Sequence, residues 1–276
     1  MFDFETPLIR LRERAPLVQC ITNFVTVNDC ANIILAAGGS PSMADDLREA
    51  AEAVAGADGL VCNLGAIALV DSMVSAGKAA NALGKTVVLD PVAAGGTQLR
   101  RDASKRLLQK VRFTAIRGNA SEIRALATGG TGGSGVDVSA MDAITEESLP
   151  TAMAMAADFA RRSGSVIAVS GKMDVISDGR HTMVLRNGCA TMARVTGSGC
   201  MLTSLMGAFC AASPDSPFEA ACAAMAAMGV CGELAEELRL AKGTGNATFR
   251  TDMIDAVFNL TPHQLTKGVR YEIYEG

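Results

Sequence analysis

A glycine-rich turn ahead of an apolar, helix-forming run is the stretch of this sequence most suited to chemistry. Residues 194–209 read RVTGSGCMLTSLMGAF, with Gly197, Ser198 and Gly199 directly before Cys200. Free N–H groups at a helix start, backed by the helix dipole, form a binding site for an anion such as phosphate. The alternative is a strand-to-helix corner that only needs a glycine at positive φ. The residues alone leave both interpretations open.

Cys200 itself raises the question of a covalent mechanism. A cysteine nucleophile needs a histidine base nearby, and the chain has two histidines, His181 in a presumed hairpin and His263 in the tail. A position at a helix start would lower the pKa of the thiol, whereas an inert buried cysteine fits the same pattern. Since no motif ties either histidine to Cys200, covalent catalysis is not favoured.

Acidic residues at two predicted strand ends are candidate metal ligands. The segment GNASEI places Asn119 and Glu122 in an N-x-x-E spacing at a helix start, where an acid can hold Mg²⁺ through water. On its own, that spacing is more typical of an asparagine cap with a helpful first-turn glutamate. Asp90 in LDP adds a second acid, although Asp-Pro after a strand is also ordinary turn chemistry.

The elements that must position these residues alternate between strands and helices. The strands PLVQCIT, GLVCNLG, TVVLDP, FTAIRGN and SVIAVSG are separated by helical stretches, which predicts right-handed βαβ units and a parallel sheet covered on both faces. A hairpin is predicted to turn at Asp178–Gly179, and the chain after Thr196 is mostly helical. We therefore predict one α/β domain over residues 1–276. The glycine-rich stretch TGGTGGSG is interpreted as a mobile loop or lid.

In such folds ligands bind at the carboxyl ends of the strands. Polar residues stand at this place after one strand after another, which predicts a shared pocket; they are Asn23, Asn63, Asp90, Arg117, Asn119 and Ser170.

Composition excludes several other classes of function. The 276 residues carry 25 basic and 29 acidic side chains without a basic block, so nucleic acid is not an expected partner. No apolar run approaches the ~20 residues of a membrane span, so a membrane is not expected either. The eight cysteines are scattered and form no C-x-x-C pair, which indicates a reducing, cytoplasmic location.

Taken together, these stretches resemble the hydroxyethylthiazole kinase family of the ribokinase-like group. The likeness covers nearly the whole chain, in the family's order: ITNFVTVNDCAN, GGSPSMA, LDPVAAG, AIRGNASEI, VSGKMDVISDG and VTGSGCMLTS. The G-x-G-C turn is its most specific mark, because related sugar and vitamin kinases usually carry Asp in place of the cysteine. The resemblance implies a ribokinase-like three-layer sandwich with a mostly parallel central sheet flanked by helices.

The resemblance also implies an activity, the transfer of the ATP γ-phosphate to the primary hydroxyl of 4-methyl-5-(2-hydroxyethyl)thiazole in thiamine salvage. The family's substrate contacts match Met43 and Gly197, with Asn23 as a further polar pocket residue. Its ATP contacts match Arg117 and Ser170, the latter standing where Thr is common.

The amides of Gly197, Ser198 and Gly199 would then hold the migrating phosphoryl group, and Mg²⁺ would lie near Glu122 and Asp90. Cys200 would act near the acceptor hydroxyl as a weak base or a positioning group. The resemblance further implies a homotrimer with active sites at subunit interfaces.

Three alternatives remain at this point. The first is a ribokinase-like kinase for another small alcohol, such as hydroxymethylpyrimidine or pyridoxal. The second is a cysteine hydrolase that uses Cys200, and the third is a nucleotide sensor without catalysis.

Overall fold

A central sheet runs through the computed structural model, which describes residues 2–129 and 144–275. Within those ranges the sheet has nine strands in the order β2-β1-β3-β4-β5-β6-β7-β8-β9. The strands are β1 Leu17–Ile21, β2 Ser40–Ser42, β3 Gly59–Asn63, β4 Thr86–Asp90, β5 Ala115–Asn119, β6 Val166–Ser170, β7 Asp174–Ser177, β8 His181–Leu185 and β9 Tyr271–Glu275. Strands β1 to β6 are parallel to one another, whereas β7, β8 and β9 each pair antiparallel with the strand before them in the sheet.

Helices cover both faces of the sheet. One face carries α1 Glu5–Arg14, α2 Val27–Ala37, α8 Ser198–Ala212, α9 Pro217–Lys242, α10 Asn246–Asn259 and α11 Pro262–Gly268. The other carries α3 Ala50–Gly56, α4 Val70–Ala82, α5 Gln98–Lys110, α6 Ala120–Ala127 and α7 Leu149–Ser163. Short 3-10 turns lie at Ile67–Leu69 and Ala190–Arg194. This three-layer architecture with a mostly parallel sheet confirms the predicted fold class.

The inner parallel strands are buried on both sides, which explains their continuous apolar runs. Successive side chains of a strand point to opposite faces. Val61 and Val88 therefore lie on the face covered by α8, while Leu60 and Leu89 lie on the face covered by α4. A glycine lets α8 pack closely on the sheet: a Cβ on Gly207 of α8 would lie 2.4 Å from Val61 Cγ2 of β3.

Helix α9 is the one described helix whose length and composition would allow it to cross a membrane. Of its most apolar window, 83% is buried inside the fold. It packs against α8 and α10. We interpret α9 as the core helix of a globular fold.

The strands and the hairpin predicted from the sequence are confirmed, as is the helix that begins at the N-x-x-E segment after β5. Two short edge strands, β2 and β9, and three helices, α1, α3 and α5, were not predicted from the sequence. The interpretation of TGGTGGSG as a mobile loop falls mostly outside the described residues. The single domain over residues 1–276 stays a prediction.

Candidate active site

The predicted site residues, the polar ones and Met43, lie in a row along the carboxyl edge of the parallel strands. Met43 follows β2, Asn23 follows β1, and Asn63 and Asp90 end β3 and β4. Arg117 and Asn119 belong to the end of β5, and Ser170 ends β6. Because the strand order is β2-β1-β3-β4-β5-β6, the row runs continuously from Met43 to Ser170.

The turn before α8 requires glycine at its first position. Gly197 has a φ of 85°, in the left-handed region that favours glycine. A Cβ there would also lie 2.4 Å from Thr26 Cγ2. The corner interpretation is therefore correct for Gly197, and it is compatible with an anion site at the same turn.

The amides that open α8 differ in what they bind. The Ser198 N–H donates to the Val195 carbonyl at 3.3 Å, and the Met201 N–H donates to the Gly197 carbonyl at 2.8 Å. Between them, the N–H groups of Gly199 and Cys200 have no acceptor in the part of the chain that the structure describes. These two amides are available to an external anion. The predicted anion site is therefore wrong at Ser198, whose amide is already bonded, and it extends to Cys200.

Arg117 supplies positive charge directly beside those amides. The residue is only 9% exposed, and Nη2 donates to the Ser170 hydroxyl. A Cβ on Gly199 would lie 2.6 Å from Arg117 Nη1, so the guanidinium is in van der Waals contact with that stretch of backbone. Arg117 Nε is buried without a partner among the described residues. The guanidinium and the two free amides therefore face one small volume.

A buried hydrogen-bond network lies behind the turn. Asp90 is 1% exposed, and its Oδ2 accepts from Asn63 Nδ2 at 2.8 Å and from the Thr203 hydroxyl at 3.0 Å. Asn23 Nδ2 donates to Asn63 Oδ1 at 3.3 Å and to Cys200 Sγ at 3.5 Å. We name residues 197–200 together with Asn23, Asn63, Asp90 and Thr203 the reaction corner. Thr203 was missed in the sequence, although its place three residues after Cys200 puts both on one helix face.

Burial controls the protonation of the reaction corner. It raises the pKa of Asp90 to about 6, with the charge of Glu122 adding to the effect and that of Arg117 opposing it. Burial, followed by the neighbouring Asp90, raises the pKa of the Cys200 thiol to about 11. The helix start thus does not lower this pKa, and the thiol is protonated at neutral pH.

The structure also separates Cys200 from His181, one of the two candidate bases. Strand β7 runs back from the carboxyl edge, so the hairpin turn and His181 lie at the opposite edge of the sheet. There His181 Nδ1 lies 3.1 Å from Asp178 Oδ2. This geometry disfavours a cysteine hydrolase that uses His181 as its base.

Asn119 and Glu122 together form the helix cap that the N-x-x-E spacing predicts. Glu122 Oε2 accepts from the Asn119 N–H at 2.9 Å, and Asn119 Oδ1 accepts from the Glu122 N–H at 2.9 Å. The other carboxylate oxygen of Glu122, Oε1, accepts from the Ala93 N–H at 2.8 Å. The cap fixes the carboxylate at the carboxyl edge, between the loops that follow β4 and β5.

A cavity of about 650 Å³ opens beside the reaction corner, and we name it the edge cavity. Arg117, Ser170, Ser198 and Gly199 line the side toward the turn. The remaining wall includes Lys172, Asp174, Arg186, Asn187, Cys189, Met192, Met225 and Met228. Cavities of this size hold drug-sized ligands.

Asp174, which was not predicted from the sequence, brings a carboxyl group to the wall of the edge cavity. Its Oδ1 accepts from the Gly171 N–H at 2.9 Å. Burial raises its pKa to about 7, while Arg117 opposes the shift. The cavity therefore combines cationic side chains with one group that titrates near neutral pH.

Comparison with known proteins assigns this geometry to a family. Residues 8–263 match the hydroxyethylthiazole kinase family. The chain is 45% identical over 269 residues to the hydroxyethylthiazole kinase of Clostridium acetobutylicum, covering 97% of this chain and 98% of that protein. It is 43% identical over 266 residues to the enzyme of the same name from Desulfovibrio desulfuricans, covering 93% of each chain.

Solved structures agree with the sequence relatives. A hydroxyethylthiazole kinase protein from Pyrococcus horikoshii OT3 superposes with a TM-score of 0.86 at 34% identity, covering 99% of each chain. The pyridoxal kinase of Staphylococcus aureus in complex with AMP-PCP and pyridoxal has a TM-score of 0.61 at 17% identity, covering 95% of this chain and 99% of that one. The second likeness shows a shared ribokinase-like fold alone. On the strength of its sequence relatives and the first structure, this chain belongs to the hydroxyethylthiazole kinase family.

Proposed function

We propose that this chain transfers the γ-phosphoryl group of ATP to the primary hydroxyl of 4-methyl-5-(2-hydroxyethyl)thiazole, giving the thiazole phosphate for thiamine salvage. As a member of its family, the chain is a kinase and ATP is its co-substrate. The observation that carries the residue-level proposal is the pair of free amides at Gly199 and Cys200 beside the Arg117 guanidinium. Groups of this kind stabilise a transferring phosphoryl group.

The two substrates would approach Cys200 from opposite sides. The edge cavity would hold ATP with its phosphates toward Arg117, Ser170 and the free amides. The thiazole alcohol would lie on the other side, toward Met43, Asn23 and Gly197. Met43 packs against the apolar core, so its end of the thiazole site suits an aromatic ring. Asn23 donates to Cys200 Sγ, so its end suits the hydroxyl.

Cys200 would position the acceptor hydroxyl more than it would activate it. Its thiol is protonated at neutral pH because its pKa is about 11. A loose transition state for phosphoryl transfer demands positioning and charge stabilisation, and the hydroxyl proton need leave only late. A weak base at this position is therefore sufficient.

The acidic pair fits a magnesium ion held through water and the ATP phosphates. Burial and the negative charge of Glu122 raise the pKa of Asp90. A cation bound between the two carboxylates would offset their repulsion. The described residues contain no cluster of three His, Cys, Asp or Glu side chains that would grip a metal directly. Mg²⁺ commonly keeps several waters beside one or two carboxylates. When bound, it would neutralise charge on the transferring phosphates.

A homotrimer in the cytoplasm completes the proposal. Phe24 is 90% exposed and Val25 is 59% exposed, immediately after Asn23 at the thiazole side of the site. An apolar surface of this kind suits a subunit interface that closes over the substrate.

ADP release with Mg-ATP and three alcohols, run in parallel, tests the function. We expect the thiazole alcohol to stimulate release far more than hydroxymethylpyrimidine or pyridoxal do. Equal or greater stimulation by another alcohol would replace the proposed substrate. Tight ATP binding without stimulated release by any of them would point to a sensor.

A further inference from the structure

Gln19 is a fully buried amide on strand β1, next to the edge strand β2, at 0% exposure. Its Nε2 donates to the Ala44 carbonyl at 2.7 Å and to the Ala50 carbonyl at 3.3 Å. Both partners are carbonyl oxygens, so the NH₂ group must face them. A single side chain thus joins the carbonyl after Met43 to the first residue of α3.

The stretch it reaches has little else to hold it. Pairing of β2 with β1 ends at Ser42, opposite Gln19. We name residues 43–49 the Met43 loop. Its other hydrogen bonds are internal or to the first turn of α3, such as those from Arg48 to Asp46. Within the described ranges, Gln19 is the only side chain from elsewhere that hydrogen-bonds to this loop.

The amide oxygen of Gln19 lowers the stability of the fold. Oε1 is buried without a partner among the described residues. A buried polar atom without a hydrogen bond destabilises the fold, and an apolar side chain of the same length would avoid that cost. Departures from good packing are expected where a side chain serves the site and not the core.

We infer that Gln19 is a positioning residue for the thiazole side of the site: its amide fixes the Met43 loop and so keeps Met43 against the core. The effect on substrate binding rests on the proposed function, because it requires Met43 to contact the thiazole. The effect on the loop does not rest on it, and the two can be measured separately.

The first test measures the loop directly. Arg48, with 89% of its side chain exposed, offers a trypsin site within the loop. Gln19→Met keeps the length of the side chain and removes both N–H groups. We expect faster cleavage after Arg48 in this variant than in wild type. The control is Ser165→Ala, which removes another buried hydrogen bond, from Ser165 Oγ to the Phe113 carbonyl at 2.7 Å, at the opposite edge of the sheet. Cleavage that is unchanged, or equally faster in the control, overturns the inference.

The second test measures the consequence for catalysis. Gln19→Met should raise the KM for the thiazole alcohol by about tenfold while the KM for ATP changes less than about twofold. Combined with Met43→Ala, it should add no further rise, since both changes act through one contact. Additive effects, or equal rises in both KM values, contradict positioning through Met43. If Gln19→Met does not fold, Gln19→Asn shortens the reach of the amide and gives the same readouts.

The outcomes separate the two proposals. A wild-type chain that releases no ADP with the thiazole alcohol overturns the proposed function, while the trypsin result still decides whether Gln19 holds the loop. A wild-type chain that is active, with loop cleavage and KM values unmoved by Gln19→Met, overturns only the role of Gln19.

Discussion

The reaction corner and the edge cavity each contain one carboxyl group near Arg117, and their surroundings differ. In the corner, Asp90 Oδ2 accepts from two side chains, Asn63 and Thr203, which belong to different elements. In the cavity, Asp174 Oδ1 accepts one main-chain N–H from Gly171, and the residue lines open space. Burial raises both pKa values, to about 6 and about 7.

This difference suggests a division of roles. Two side-chain donors fix the orientation of the Asp90 carboxylate, as an electrostatic contribution to a transition state requires. Asp174 has fewer constraints and faces the space in which the nucleotide would lie. We therefore expect changes in the corner to lower kcat, and changes in the cavity to alter the KM for ATP.

The largest effect is expected from Asp90→Asn. An asparagine oxygen can still accept from Asn63 and Thr203, so the geometry survives while the charge is lost. We expect kcat to fall by roughly 10²- to 10³-fold, the range seen when one electrostatic contact to a transition state is removed. Steady-state ADP release measures this, and a fall of less than threefold would contradict the role of Asp90.

The same variant should not lose stability. Because the pKa of Asp90 is higher in the folded chain than the ordinary value of 3.8, the folded chain binds this proton more tightly than the unfolded chain does. Its contribution therefore makes the chain less stable as the pH rises from about 4 to above 6. Asp90→Asn removes this loss, so its melting temperature at pH 7.5 should equal or exceed that of wild type.

Gly199→Ala should produce the next largest effect and tests the contact between the two regions. The new methyl group would lie 2.6 Å from Arg117 Nη1 and displace the guanidinium from the free amides. We expect kcat/KM for ATP to fall roughly 10- to 100-fold, since a displacement of about 1 Å at a site has costs of this size. The matched control is Gly56→Ala in α3, where a Cβ meets nothing within 4 Å. Equal losses in both variants would refute the contact.

A smaller effect is expected from pH at the edge cavity. As the pH rises through about 7, Asp174 loses its proton and places a negative charge beside the triphosphate. The KM for ATP should then rise a few-fold between about pH 6 and 8 at excess Mg²⁺. Asp174→Asn should abolish the rise. A rise of equal size in the variant would assign it to another group.

The smallest effects are expected at Cys200. Cys200→Ser should lower kcat a few-fold, and full turnover would exclude a role as base. Cys200→Asp should retain or raise activity, because a carboxylate is the stronger base at neutral pH. Complete loss in the aspartate variant would contradict the position we assign to the acceptor hydroxyl. Single-turnover rates separate these changes from product release.

Much of the fold, and most of the residues along the carboxyl edge of the sheet, could be predicted from the sequence, because apolar strands alternate with helices and end in polar residues. Asp90, Arg117 and Ser170 were predicted in this way. Strand β2 was not predicted because it has only three residues, one of them Pro41. Strand β9 was not predicted because it pairs with β8, which is distant from it in the sequence.

The hydrogen-bond partners within the site were harder to predict from the sequence. Thr203 and Gln19 stand inside apolar runs and read as core positions, and only tertiary packing shows that one binds Asp90 and the other Ala44. The sequence left open whether the helix start lowers the pKa of the Cys200 thiol or the cysteine is buried and inert; in the structure, burial and the neighbouring Asp90 outweigh the helix dipole. Effects of this kind depend on neighbours that are remote in sequence.

A crystal structure with Mg²⁺, AMP-PCP and the thiazole alcohol tests the central claim most directly. We predict that the terminal phosphonate lies within hydrogen-bond distance, about 3 Å, of the amide nitrogens of Gly199 and Cys200. The alcohol oxygen should lie beside Cys200 Sγ on the side of Asn23. A nucleotide bound away from this turn, or amides already bonded to the protein's own carbonyls, would contradict the account.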